Sequence, residues 1–184
     1  NNVNVNANYT VVDGFGNTDI LTDINRIQGT IYDDTVTGGA GRDRFRDNGG
    51  DDYFDGGAGT RDEIDYYYMS TSVYVDLSNT GAQFISAEAG TDTIINVERI
   101  RGSFHDDTFI GDANSNWFNG GVGGDTMTLA GGSGFIYYSS SDESNGIDGM
   151  DILTDFTSGT DTLYMDNAGH LSYYGDLGDL SGIG

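Results

Sequence analysis

The chain contains no cysteine and no proline, and all seven of its basic residues are arginine. Without cysteine there are no disulfides and no thiol chemistry. That lack is compatible with an extracellular protein stabilised by metal in place of disulfides. The missing proline, beside 30 glycines in 184 residues, separates the composition from collagen and from proline-rich linkers. No apolar run approaches the roughly 18 residues of a transmembrane helix, so no membrane insertion is expected. Positive charge is scarce: 7 basic against 30 acidic residues leave a net charge of −23. Such a charge opposes compaction and makes nucleic acid a very poor partner. The two histidines, His105 and His170, belong to no HExxH, and there is no GxSxG. An enzyme is therefore not expected. The start at Asn1, with neither methionine nor signal peptide, reads as a fragment or a processed product.

What the chain does have is a short period. From Gly29 to Asp65 it reads GTIYDDTVT, GGAGRDRFR, DNGGDDYFD and GGAGTRDEID, four consecutive nine-residue units with one insertion in the last. Each unit carries glycine at its first or fourth place, aspartate at the sixth and an apolar residue at the eighth. The aspartates are Asp34, Asp43, Asp52 and Asp62; the apolar residues are Val36, Phe45, Phe54 and Ile64. Glycine reaches backbone angles closed to other residues and lets carbonyls turn inward. The last three places alternate, with one side chain toward a core. Turn plus short strand, repeated, winds a coil in which two units make one circuit. Asp34 then stacks on Asp52 and Asp43 on Asp62. Carboxylates one strand spacing apart, roughly 4.8 Å, repel unless a cation lies between them. A flexible cage of carboxylate and carbonyl oxygens suits Ca²⁺.

The iterated units resemble the GGxGxDxUx nonapeptide of RTX (repeats-in-toxin) proteins, over roughly residues 14–166. The resemblance implies an all-β fold, a right-handed parallel β-roll (β-solenoid) of two tandem RTX modules with flanking antiparallel strands. It implies roughly four to six Ca²⁺ ions. Candidate ligands are the side chains of Asp34, Asp43, Asp52, Asp62, Asp107, Asn116 and Asp125, with turn residues Gly39, Gly41, Gly50, Gly57, Gly59, Gly121 and Gly123. Asn116 replaces aspartate and offers an oxygen without charge, so its site is expected to be weaker.

The modules follow from an internal duplication. Gly16–Thr35 matches Ala89–Thr108 at a constant offset of 73, pairing Asp19 with Asp92 and Arg26 with Arg99. The expected units are 1–75, 76–166 and an unassigned glycine-rich tail at 167–184. Residues 1–13 alternate and read as one strand. In the connector, Val73–Leu77, a turn at Asn79–Gly81 and the returning AQFI read as a hairpin. Tyr32 and His105 replace glycine in the first unit of each block, and each is expected to cap the end of a roll; no nucleophile surrounds His105 to make it a base. Tyr66, Tyr67 and Tyr68 read either as packing for a thin core or as a carbohydrate-stacking platform. In the second block the core places are Phe109, Phe118 and Met127, and the GGSG at Gly131 carries Ile136 at its sixth place in lieu of a carboxylate. Residues 142–166, with Asp151, Asp155, Phe156 and Asp161, resemble the segment that closes many RTX rolls.

The resemblance further implies export by type I secretion and folding on calcium outside the cell or at its surface. Two functional classes follow. One is a structural or adhesive surface component (fibre, surface layer or adhesin repeat), with copies of itself as partners. The other is the calcium-dependent secretion, stability or polysaccharide-binding tail of a secreted enzyme, in which extracellular polysaccharide is the partner.

Overall fold

The computed structural model of the chain describes residues 24–139 and 149–166, together with the backbone of three short strands before them. Those strands are β1 (Asn4–Val5), β2 (Thr10–Val12) and β3 (Thr18–Ile20). The first repeat block forms β4 (Arg26–Gln28), β5 (Thr35–Thr37), β6 (Arg44–Arg46), β7 (Tyr53–Asp55) and β8 (Glu63–Asp65). The connector forms β9 (Tyr74–Asp76), β10 (Ala82–Ser86) and β11 (Gly90–Ile95). The second block forms β12 (Arg99–Arg101), β13 (Thr108–Ile110), β14 (Trp117–Asn119), β15 (Thr126–Thr128) and β16 (Phe135–Ser139). Two strands close the coil, β17 (Ile152–Leu153) and β18 (Thr162–Asp166). No helix occurs among the described residues.

Each nine-residue unit contributes one three-residue strand, and alternate units pair in parallel. Val36 lies beside Phe54, Phe45 beside Ile64, and Phe109 beside Met127. Two units therefore make one circuit, with strands on two faces. One face is a continuous sheet, β4-β6-β8-β12-β14-β16-β18, that runs through both repeat blocks. The other is divided between β3-β2-β1-β5-β7-β11-β10 and β9-β13-β15-β17. The division falls where the connector enters, because β11 stacks on β7 while β9 starts a new sheet under β13.

The core is one file of eighth-place side chains. Val36, Phe45, Phe54, Ile64, Ile100, Phe109, Phe118, Met127 and Ile136 are all buried. Neighbouring rings touch, with centroids 5.4 Å apart for Phe45–Phe54 and 5.7 Å for Phe109–Phe118. Ile136 pairs with Phe118 and so occupies the eighth place of its unit; the sixth place is Gly134. This corrects the expected placing of Ile136.

Three further expectations are corrected. Within residues 1–13 the described backbone forms two strands, with Val5 opposite Val11 in antiparallel pairing. The connector hairpin is β10 with β11, and β9 is not its partner: Phe84 pairs with Thr91. Gln83 serves the edge of β9 instead. Its buried amide accepts the Asp76 N–H at 2.8 Å and donates to the Asp76 carbonyl at 3.0 Å, as a strand backbone would. Tyr32 and His105 do not cap the roll. Both are exposed, and the turn before that of His105 is filled, with the Val73 N–H donating to Asp107. The 167–184 tail, including His170, and the 142–148 part of the closing segment lie outside the described residues.

On the continuous sheet, the outward side chains stitch successive turns. Arg44 meets Glu63 at 3.0 Å and Asp65 at 2.6 Å, and Arg46 meets Asp65 at 2.7 Å. Arg99 stacks 3.8 Å from the centre of the Trp117 ring, and Arg101 the same distance from Tyr67. Five of the seven arginines stand on this sheet's strands, so the scarce positive charge of the chain faces away from the acidic turns.

Candidate metal centre

The sixth-place carboxylates form rows along the turns. In every row the backbone N–H of one sixth-place residue donates to the carboxylate of the next turn. Asp34 donates to Asp52 at 2.8 Å, Asp43 to Asp62 at 2.7 Å, and Asp107 to Asp125 at 2.8 Å. The stacked pairs expected from the repeat are thus brought together, and the backbone supplies a partner that spacing alone does not suggest. The rows also run beyond the nonapeptides. Asp52 donates to Asp92 and Asp62 to Glu98, each at 3.0 Å, while Asp125 donates to Asp151 at 2.8 Å and Gly134 to Asp161 at 2.9 Å.

The second carboxylate oxygen decides what else a turn can hold. At Asp34, Asp43 and Asp107 it accepts the N–H of the second-place residue, from Thr30 at 2.6 Å, Gly39 at 2.7 Å and Ser103 at 2.6 Å. At Asp52 and Asp62 the corresponding Oδ2 is buried and no hydrogen-bond donor reaches it. For Asp62 the reason is local, since the Gly57 N–H turns to Asp55 Oδ1 at 2.9 Å. An anionic oxygen in that position costs free energy unless a cation or proton joins it. Burial accordingly pushes the Asp52, Asp62 and Asp107 carboxyls up to about 6, with neighbouring acids adding to the effect at Asp52 and Asp62. Asn116 is buried but stands apart from the carboxylate rows; its Oδ1 accepts the Asp112 N–H at 2.9 Å.

Most of the turn glycines leave no space for a side chain. A Cβ on Gly57, where φ is +85°, would run into the Gly39 carbonyl, and one on Gly59 into the Gly41 carbonyl. Gly121 is packed in the same way on Ser103, Gly50 on Tyr32 and Gly123 on His105, whereas Gly41 itself faces open space. Orphaned carboxylate oxygens beside close-packed backbone carbonyls are an all-oxygen donor set, which is what a hard cation such as Ca²⁺ takes. The residues fit the ion.

Several row members escape a reading of the nonapeptides. Asp92 was marked only by its offset of 73 from Asp19, and Asp151 and Asp161 by the closing phrase. Glu98 stands two residues before Ile100, as Asp62 does before Ile64, and so holds the sixth-place register, but residues 93–101 have no glycine at their first or fourth place to mark them as a repeat. Tyr66 is fully buried, and its hydroxyl donates to Asp92 Oδ2 at 3.0 Å. This removes Tyr66 from any three-tyrosine platform. Tyr68 is 61% exposed, in edge contact with Tyr67 and beneath Arg46.

A coil of nine-residue turn-and-strand units with acidic rows along its turns is a metal-ligating parallel β-roll. The model of one family, the RTX calcium-binding nonapeptide repeat (four copies), matches residues 25–61 and 101–136. No curated protein matches the chain. The two blocks are RTX calcium-binding nonapeptide repeats, wound as a β-roll.

Proposed function

We propose that this roll is a non-catalytic structural or adhesive module of a secreted protein. It folds on Ca²⁺ outside the cell and joins others of its kind end to end. Two such modules, 1–75 and 76–166, would lie in the chain. The supporting observation is the junction between the repeat blocks. There β11 adds to β7 and β12 adds to β8, in parallel register. By the internal duplication, β3 corresponds to residues 91–93 of β11 and β4 to β12. Yet β3 and β4 are the outermost strands of their sheets. The difference shows in burial: β12 is covered, while in β4 both Arg26 and Gln28 are exposed. This end therefore offers the surface that the junction already uses, to strands of the β7 and β8 type. A head-to-tail contact of this kind does not close on itself and builds filaments. The ligands of the module are the sixth-place side chains named above, with the turn glycines supplying carbonyls.

Size-exclusion chromatography and electron microscopy with and without Ca²⁺ test the reading. Concentration-dependent filaments or oligomers in calcium support it, and a strict monomer at all concentrations contradicts it. The second reading is the tail of a secreted enzyme, and one feature favours it: β17 and β18 take, on β15 and β16, the positions that β11 and β12 take on β7 and β8. At that end the chain's own last two strands occupy those positions. A strict monomer that also binds extracellular polysaccharide, with affinity lost in Tyr68→Ala, is the outcome expected of that reading.

A further inference from the structure

At the third unit of the first block the repeat carries an acid where its pattern has glycine. Asp47 occupies a first place, like Gly29, Gly38 and Gly56. A Cβ at Gly29, Gly38, Gly102 or Gly120 would press against the sixth-place carboxylate of its own unit. A side chain in this position is therefore directed at the carboxylate row. Asp47 is 0% exposed and Asp52 is 4% exposed. One carboxylate oxygen from each of Asp47, Asp52 and Asp92 lies within 4.8 Å of the other two. Asp47 Oδ1 accepts the Gly49 N–H at 2.6 Å, and no donor reaches Asp47 Oδ2 or Asp52 Oδ2. Asp92 is held by the Tyr66 hydroxyl on one oxygen and the Asp52 N–H on the other.

We propose that Asp47, Asp52 and Asp92 form a buried divalent-cation site, best fitted to calcium, in which an acid at a glycine place of the repeat joins two acids of the row. Three carboxylates in one water-poor space repel strongly, and two of their buried oxygens point at no donor. A point central to three such oxygens lies no more than about 2.8 Å from each. Ca²⁺ accepts irregular, flexible oxygen cages at roughly 2.3–2.6 Å, whereas Mg²⁺ demands near-ideal octahedral geometry at roughly 2.1 Å and gives up its waters reluctantly. Tyr66 orients Asp92 and is itself locked in the core, so the cage is preformed on the Asp92 side. The site stands where β11 joins β7, which places the ion at the seam between the blocks. The proposal deepens the reading of the rows as calcium ligands, since Asp52 serves both.

The test uses the full chain and two variants, Asp47→Asn and Asp47→Gly, the second restoring the residue of the repeat. Equilibrium dialysis with radioactive calcium counts bound ions, and circular dichroism follows the fold. Both variants are expected to reach the wild-type β spectrum in excess calcium while binding about one ion fewer per chain. An unchanged count in either folded variant overturns the site and leaves Asp47 sharing only a proton with Asp52. Should neither variant fold in excess calcium, crystals of the wild-type chain grown with Tb³⁺ decide. An anomalous peak among the three carboxylates supports the site; peaks along the rows with none here overturn it. No ion bound anywhere would instead remove the reading of the rows.

Discussion

One aspartate in every nine residues performs two tasks. At Asp52, Asp62 and Asp107 the Oδ1 accepts a backbone N–H from an adjacent turn, and the Oδ2 of a sixth-place acid either closes its own turn or is left for a cation. Asp34, Asp43 and Asp107 close their turns; Asp52 and Asp62 do not. Asp52→Ala is therefore expected to raise the calcium midpoint of folding by roughly tenfold or more, where each tenfold is ~1.4 kcal/mol. Asn116→Ala should shift it much less, because the Asn116 side chain bonds to Asp112 of its own turn and its backbone bond to Phe135 survives the substitution. Calcium titrations followed by circular dichroism check the ranking, and equal shifts contradict it. The sixth-place acids and the eighth-place core were legible in the sequence because the period repeats them. Asp47 was not, since a lone acid at a glycine place looks like any loop residue until its neighbours are known. Glu98 was hidden for a related reason: it holds the sixth place of residues 93–101, but no glycine at the first or fourth place marks that stretch as a repeat.

The strands are three residues long and gain their stability from stacking. The file of buried rings carries much of that, so Phe109→Ala is expected to cost about 3–5 kcal/mol in denaturant unfolding at saturating calcium. A loss below about 1 kcal/mol would show that this part of the coil is loosely packed. The connector offers a more local test. Gln83→Leu keeps the volume but leaves the Asp76 N–H and carbonyl without their amide partner. A loss of roughly 1–3 kcal/mol is expected, together with faster amide exchange at Asp76. Unchanged exchange there would contradict the edge-sealing role of Gln83. The hairpin itself was misread from sequence for a physical reason. Val73, Val75 and Leu77 alternate as a hairpin strand does, but alternation does not distinguish a parallel partner from an antiparallel one. Here the parallel partner prevails, because β9 takes its place in the coil beneath β13.

A molecule with a net charge of −23 folds around its acids, so it should respond to any cation that reaches them. Burial holds Asp52, Asp62 and Asp107 up to about 6 and Asp92 up to about 7, all above the ordinary value of 3.8. The fold without metal thus prefers these groups protonated. Their contribution is complete below about pH 4 and is lost as the pH rises through about 6 to 7. In chelator, β structure is expected to grow as the pH falls from neutral toward 5, still above the isoelectric point near 4.1. In excess calcium the dependence should reverse, because Ca²⁺ takes the deprotonated carboxylates. A chelator spectrum indifferent to pH would contradict this. The continuity of the long sheet across both blocks was not legible from the period, because the 36-residue step from Glu63 to Arg99 spans a connector with no repeat of its own.

The most direct test is the far-ultraviolet circular dichroism of the purified chain at neutral pH, first in chelator and then through a titration to millimolar calcium. The account predicts little parallel-β signal in chelator and a cooperative gain as the ion is added. A full β spectrum in chelator, with no metal retained by elemental analysis, would contradict it.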